Sequence, residues 1–460
     1  MHVVSHRATF RSRKRGYHQN MALLFVAASV SLFLAQTPDP VLDQLASQHI
    51  QKNKIPGAVL VVVRGDRVAY AKGFGVANVE TGEAVTPDHL FRVGSTTKMM
   101  VAASVLKLTE STRLRLTDPV DLHVPNLDPA IGKLTAHQLL SHTSGLLDRA
   151  PMYGLQDDTA LGENVRSWKA DILFTEPGKV YSYSNPGYAL AGRLIESVSG
   201  RSFADALEDL IFKPAGMNRT TFRPTMAMTY PLAQGHETPS SIARPAANNA
   251  GYWPAGSMFT SGRDFARFVI ALLHEGEVDG KRVLSAKTVR EMMSPKVRVD
   301  GPVEGKFYGY GLSLDPEFDL VEHAGGRMGY TSHVMLHPKD KLAVIVLTNV
   351  SGGDAGGLAR AAMDLVFGQK AAPRKLPASQ SADLSAYVGS YRNDPESVIT
   401  VSTGSPAGHL QVRMNGRSLD MTPSDAGNCF ESRQPSAMTL CFSGNGNAYA
   451  HAGGRSFARY

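Results

Sequence analysis

The run from Thr97 to Leu108 constrains this chain more than any other stretch. It reads Thr-Lys-Met-Met-Val-Ala-Ala-Ser-Val-Leu-Lys-Leu and follows Phe91-Arg92-Val93-Gly94-Ser95-Thr96. A helix apolar over most of its surface has to be buried, so other elements must pack around it. The glycine ahead of it marks a turn and puts Ser95 at the first turn of the helix. Residues three apart share a helix face, which brings Lys98 up beside Ser95. A serine hydroxyl is a poor nucleophile until a base takes its proton, and a lysine can be that base when burial lowers its pKa towards neutrality. The helix N-terminus also favours negative charge on the serine oxygen. Ser95 is therefore the candidate nucleophile and Lys98 its candidate base. Ser104 and Lys107 repeat the spacing mid-helix, where a hydroxyl bonds back to the preceding turn instead.

Periodicity predicts a first helix from Pro40 to Lys52, then strands at Ala58–Val63 and Arg67–Tyr70 around the turn Arg64-Gly65-Asp66. No helix opens after Gly73-Phe74-Gly75, so it is not a phosphate loop. Further helices are expected from Pro186 or Gly187 to Ser199, from Ser202 to just before Pro214, from Ser261 to Leu273 and from Ser285 to Met293. Strands follow at Tyr308–Leu314, Thr331–Leu336 and Leu342–Leu347, and Leu358–Phe367 closes as a helix. Strands at both ends with helices between predict an α+β domain whose terminal strands meet in one sheet, with a mostly helical region inserted.

At 460 residues the chain has room for more than one domain. Residues 369–382 are polar and proline-bearing and read as a linker. Residues 383–460 carry short strand-like pieces at Ala386–Tyr391, Val398–Val401, Leu410–Met414, Met438–Phe442 and Ala448–Ala450, which predict a small antiparallel barrel or sandwich. The expected organisation is an export segment over 1–37, the main domain over 38–368, the linker and the β module. No internal repeat is evident.

The net charge is +7, but Arg7, Arg11, Arg13, Lys14 and Arg15 supply five of those charges and the rest of the chain carries only +2. That gives no electrostatic reason for a nucleic-acid partner. The basic start precedes the uncharged run Ala22–Ala35 and the polar exit Gln36-Thr37-Pro38. This is the pattern of a secretory signal, and about 14 residues fall short of the roughly 20 that span a bilayer. A periplasmic or secreted location is expected. Membrane association would come only through an uncleaved N-terminal segment. Cys429 and Cys441 either pair across neighbouring strands or stay as two buried thiols. The scattered histidines predict no metal, and no cofactor is expected.

Acyl transfer by a serine needs a proton carrier for the leaving group and donors for the oxyanion as well as a base. Tyr181-Ser182-Tyr183-Ser184-Asn185 stands just before a helix. Tyr183 and Asn185, two apart in an extended loop, point the same way. A phenol beside a lysine can shuttle a proton, and an amide can hold both the lysine and a substrate carbonyl. His323-Ala324-Gly325-Gly326 leads towards the strand at Thr331. Glycines there would let backbone approach a ligand, with the N–H groups of Gly326 and Ser95 forming the oxyanion hole. Tyr391 with Asn393, and His451-Ala452-Gly453-Gly454, repeat these motifs in the C-terminal module, far from Ser95 in sequence, and read as decoys. His142, inside Ser141-His142-Thr143-Ser144, reads as a structural residue.

The ordered set resembles the class C serine β-lactamases, the penicillin-binding D-alanyl-D-alanine carboxypeptidases and their esterase and D-aminopeptidase relatives. The resemblance rests on Phe91 to Lys98, Leu140 to Leu146, Tyr183-Ser184-Asn185 and His323-Ala324-Gly325, and covers roughly Val41 to Phe367. It implies an antiparallel sheet flanked by helices with a second helical lobe, the active site lying between them. It also implies Ser95 as nucleophile, Lys98 as base, Tyr183 as proton shuttle and Asn185 as a ligand of the substrate amide. The tail from Leu384 resembles a lipocalin-like module. His323 stands where the β-lactamases have lysine. A histidine with a pKa near 6.5 is largely neutral at pH 7, so the grip on a substrate carboxylate should weaken as pH rises. The expectation is a serine hydrolase acting through an acyl-enzyme on a small-molecule or peptide amide or ester, with a D-amino-acid peptide as the favoured substrate and weak or no β-lactam hydrolysis. A broad carboxylesterase and an acylating sensor with little turnover are its rivals.

Overall fold

A computed structural model describes His2 and residues 39–460, apart from 112, 302–304, 369–382, 395, 406–407, 425–427 and 433–437. The expected export segment, His2 aside, and the expected linker lie outside the described residues. Helix α1 (Pro40–Lys52) begins where Asp39 accepts the N–H groups of Val41 and Leu42, with proline at its first position. Strands β1 (Gly57–Arg64) and β2 (Arg67–Asn78) form the expected hairpin, turning through Gly65 at φ 60°. Strand β3 (Leu90–Arg92) then leads through Val93 and a single 3-10 turn, Gly94–Thr96, into α2 (Thr97–Glu110).

Helix α2 is buried on all sides from Thr97 to Leu106, Lys98 included. Beyond it run α3 (Asn185–Ser199), β4 (Phe259–Ser261), which pairs with β3, and α4 (Gly262–Leu273). Ser184 and Ser261 cap the two helices through Gly187 and Asp264. Gly200 ends α3 in the left-handed conformation at φ 69°. Strands β5 (Leu320–Arg327), β6 (Tyr330–His337) and β7 (Leu342–Thr348) and helix α5 (Ala355–Phe367) complete the domain.

The main sheet is antiparallel. Its order among the described residues is Val297–Arg298, Phe307–Tyr308, Ser313–Asp315, β5, β6, β7, β1, β2 and Glu83–Ala84. The first long strand therefore lies beside the last, with Ala58 opposite Thr348 and Arg64 opposite Leu342. Alternation along β1 divides its side chains between two cores. Val59, Val61 and Val63 face the larger one, shared with α2, α3 and α4, while Ala58, Leu60 and Val62 face α1 and α5. The chain thus has helices on both faces of a sheet and a largely helical lobe on one side.

The C-terminal module is a closed barrel: β8 (Gly389–Asp394), β9 (Ser397–Thr403), β10 (Leu410–Met414), β11 (Arg417–Pro423), β12 (Cys429–Ser432), β13 (Met438–Ser443), β14 (Tyr449–Ala452) and β15 (Arg455–Arg459). Closure leaves no open sheet edge. Cys429 and Cys441 stand opposite one another on β12 and β13 and are joined as a disulfide.

Three expectations change. The strand expected at Tyr308–Leu314 is two short pieces broken at Gly309–Leu312, where Gly311 sits at φ 72° and a Cβ would lie 2.7 Å from the Lys98 carbonyl oxygen. The helix from Ser202 continues past Pro214 to Ala215, since a proline is tolerated in a new first turn. The barrel has three strands beyond those read from sequence, β11, β12 and β15, which are short and carry few apolar residues. No helix among the described residues is long and apolar enough to cross a membrane.

Candidate active site

Ser95 lies in the 3-10 turn between β3 and α2, and that turn is held from several sides. Val93 donates its N–H to Met258 O at 3.0 Å, Thr96 and Thr97 bond back to Val93 O and Gly94 O, and the Ser332 hydroxyl on β6 donates to Val93 O at 2.6 Å. Gly94 takes φ 55°, and a Cβ there would lie 2.5 Å from Gly326 N. A Cβ on Gly325 would lie 2.0 Å from Val93 O and 3.1 Å from Ser95 N. The serine turn therefore presses against β5 as closely as backbone can. The expected need for glycine holds for Gly325 but not for Gly326, whose missing Cβ would point into open space. The strand signal missed in the sequence is β5 itself: His323 to Gly326 are in it, not ahead of it.

Lys98 has no exposed surface, and its Nζ lies 3.2 Å from Ser95 Oγ. The same nitrogen donates to Asn185 Oδ1 at 2.8 Å and to Ala255 O. Burial pushes the Lys98 pKa down to about 7; Asp148 raises it and Arg455 lowers it further. The Tyr183 ring lies 4.8 Å beneath Nζ. Burial raises the phenol well above its ordinary pKa, and the Ser95 hydroxyl draws it partly back. Near neutral pH, then, the amine can lose its proton and the phenol keeps its own.

Asn185 is fixed in orientation. Both its backbone N–H and its Nδ2 donate to Asp148 Oδ1 at 2.9 Å, which turns Oδ1 towards Lys98. Lys98 and Asn185 lie behind Ser95 and Tyr183, which line a cleft of about 540 Å³ together with Tyr308, His323, Gly325 and Gly326. All seven residues expected from the sequence thus gather within one neighbourhood, five of them on the cleft wall.

His323 behaves differently from the expectation. Its Nδ1 lies 2.6 Å from Ala324 O and its Nε2 3.0 Å from the Tyr308 hydroxyl, so the ring donates from Nδ1 and accepts at Nε2. Burial, with Lys98 nearby, lowers its pKa to about 3. It is a neutral imidazole across the physiological range, and no cation for a carboxylate. His142 is structural, as expected: its Nδ1 accepts the Ser184 N–H at 3.0 Å, and its ring stacks 4.2 Å from Tyr183. Ser104 bonds back to Met100 O at 2.9 Å, also as expected.

The sequence reading missed the barrel's part. The turn between β14 and β15 enters the cleft, where Gly453, Gly454 and Arg455 form part of the wall. The motif His451-Ala452-Gly453-Gly454, taken for a decoy, is in the site, although His451 itself is tied to Ser443 and Ser456 inside the barrel. Tyr183 donates its N–H to Gly454 O at 2.9 Å, Ser456 Oγ donates to Tyr181 O at 2.6 Å, and Ser456 N donates to Ser182 Oγ. Arg455 pairs with Asp148 Oδ2 and lies 5.5 Å over the Tyr183 ring. A chain of polar contacts follows: Arg455, Asp148, Asn185, Lys98, Ser95. The only sequence signal for it is a lone Asp after Leu146-Leu147, which no local pattern marks. No group of three or more His, Cys, Asp or Glu able to hold a metal occurs among the described residues.

The sequence profile of the family described as Beta-lactamase matches residues 42–367. Protein flp of Staphylococcus aureus (strain MW2) is 28% identical over 325 residues, 67% of this chain and 63% of that protein. The chain thus spans less than two thirds of the length of the flp relatives it matches. Penicillin-binding protein 4 of Amycolatopsis lactamdurans is 30% identical over 385 residues, 76% of this chain and 96% of that protein. The solved structure of SurE with D-Leu is similar in fold, with a TM-score of 0.72 at 23% identity over 92% of this chain and 99% of that one.

Proposed function

The chain belongs to the beta-lactamase family, whose members are serine hydrolases, and from that premise we propose that it cleaves an amide or ester bond through an acyl-enzyme on Ser95. The observation that carries this reading is the serine hydroxyl 3.2 Å from a fully buried lysine whose pKa lies at about 7. Neutral Lys98 takes the Ser95 proton as Oγ bonds to the substrate carbonyl carbon. The oxyanion settles between the backbone N–H groups of Ser95 and Gly326, which the close packing of Gly94 on Gly326 brings to one side of the cleft. Tyr183, protonated at neutral pH, relays a proton to the leaving nitrogen or oxygen as the carbonyl–heteroatom bond breaks. Water then attacks the ester by the reverse relay.

We place the substrate among D-amino-acid peptides, with weak or no hydrolysis of β-lactams. The support is the neutral His323 where a β-lactamase carries a fixed cation, together with the D-Leu bound by the similarly folded SurE structure. We further propose export to the periplasm or outside; the basic and apolar start of the chain supports this reading, and the Cys429–Cys441 bridge suits an oxidising compartment.

The decisive experiment assays a p-nitrophenyl ester, a D-Ala-D-Ala peptide and a chromogenic cephalosporin with wild type and Ser95→Ala. Peptide turnover that vanishes in Ser95→Ala supports the proposal. Ester turnover alone makes the protein a carboxylesterase, and a stable acyl adduct without turnover makes it a sensor. Turnover that survives Ser95→Ala ends the mechanism.

A further inference from the structure

A second cavity, of about 340 Å³, is walled by Phe259 of β4, Met328 of the turn after β5, Leu232 and Met228. Apolar side chains also stand out of the surface around it. Met228 is 71% exposed. Leu155, next to the lining residue Gln156, is exposed too, as is Tyr153, whose hydroxyl lies 3.5 Å from Met328 Sδ. Large apolar side chains left in water around an apolar hollow mark a place where a ligand is taken up.

The polar residues of the wall offer a ligand little. Arg92 Nη1 donates to Ala247 O, and its other two nitrogens are closed off from solvent. The Trp253 indole N–H donates to Asn248 Oδ1 at 3.0 Å, and Asn248 Nδ2 is likewise closed off. The Tyr330 hydroxyl donates to Ala233 O at 2.9 Å. What remains is the amides of Gln156, which is exposed, and Gln234, which is half-buried. No Asp or Glu lines the cavity among the described residues. A charged group placed inside would lose its water and gain no partner, whereas an apolar one gives up nothing. Size narrows the choice further. A dry apolar cavity of about 150 Å³ holds one benzene, so this one has room for about ten carbons.

We propose that this cavity takes up the single alkyl chain of a neutral amphiphile, with the chain against Leu232, Phe259 and Met328 and the polar head outside, beyond Met228. The ligand is a molecule separate from the substrate, because the cavity and the Ser95 cleft share no lining residue.

Isothermal titration of the full chain with hexyl, octyl and decyl maltoside, each below its micelle concentration, tests this. Affinity should rise about threefold for each added methylene, and maltose alone should not bind. Leu232→Trp, which fills the cavity, should weaken decyl maltoside by about tenfold or more. Met228→Asp, at an exposed position where folding is not at stake, sets a charge at the mouth and should weaken it by about fivefold or more. Ala324→Trp, at an exposed position on the wall of the Ser95 cleft, should stay within about twofold of wild type. Affinity independent of chain length overturns the proposal, as does an absence of saturable decyl maltoside binding. Unchanged affinity in Met228→Asp and Leu232→Trp overturns it as well. Binding lost in Ala324→Trp but kept in those two variants would put the chain in the Ser95 cleft and overturn it too.

Discussion

Lys98 sets the pH at which the proposed chemistry can run. With its pKa at about 7, kcat/KM should rise with pH through that value as the amine loses its proton, and Lys98→Ala should cost roughly 100- to 10,000-fold. The two charges on the relay move that limb in opposite directions. Asp148 raises the lysine pKa and Arg455 lowers it, so Asp148→Asn should shift the acid limb to lower pH and Arg455→Gln to higher pH. Coincident limbs in pH–rate profiles of the three proteins would refute the coupling. His323 makes a separate prediction about stability. Its folded pKa of about 3 lies below the ordinary 6.5, so between those values the unfolded chain binds a proton that the folded chain does not. Stability should therefore fall as pH drops from 6.5 towards 3, and denaturant unfolding of His323→Gln should show a shallower fall. Substrate affinity should show no titration of this residue between pH 5 and 8, in contrast to what an exposed imidazole would give.

The elements around Ser95 work by close approach of backbone to backbone. The turn after β3 can lie on β5 only because Gly94 and Gly325 lack side chains, and the two glycines of β5 differ sharply in what they allow. A methyl on Gly325 meets Val93 O and Ser332 Oγ at 2.0 and 2.4 Å, whereas one on Gly326 meets nothing within 4 Å. Gly325→Ala should destabilise the protein by about 1–3 kcal/mol through overpacking, and Gly326→Ala by no more than about 0.5 kcal/mol. Equal melting temperatures for the two variants would contradict the packing described. Helix α2 shows the complementary principle. Its apolar surface leaves it no place but the centre, and that burial is what moves the Lys98 pKa.

At the scale of the whole molecule, the barrel is part of the cleft wall. Its β14–β15 turn supplies Arg455 to Asp148 and the Gly454 carbonyl to Tyr183. A chain ending at residue 382 should keep the sheet and helices but lose most of its turnover, and Arg455→Gln in the full chain should reproduce part of that loss. A truncated enzyme with full kcat/KM would show the barrel to be dispensable. Much was legible without coordinates, since α1, the β1–β2 hairpin, α3 with its Gly200 stop, and the gathering of serine, lysine, tyrosine and asparagine at and behind the cleft all follow from local pattern and order. Local pattern is short-ranged, and it cannot tell a copy of a motif inside the site from one outside it; hence the turn at Gly453-Gly454 passed for a decoy. What the sequence by itself determined was which polar side chains to look for around Ser95 and which helix must be buried, because period and residue type act over a few positions. What only the tertiary structure decided was their state: an amine near neutrality, an imidazole kept uncharged, and an aspartate 307 residues from its arginine. Burial and charge pairing arise only when distant segments meet.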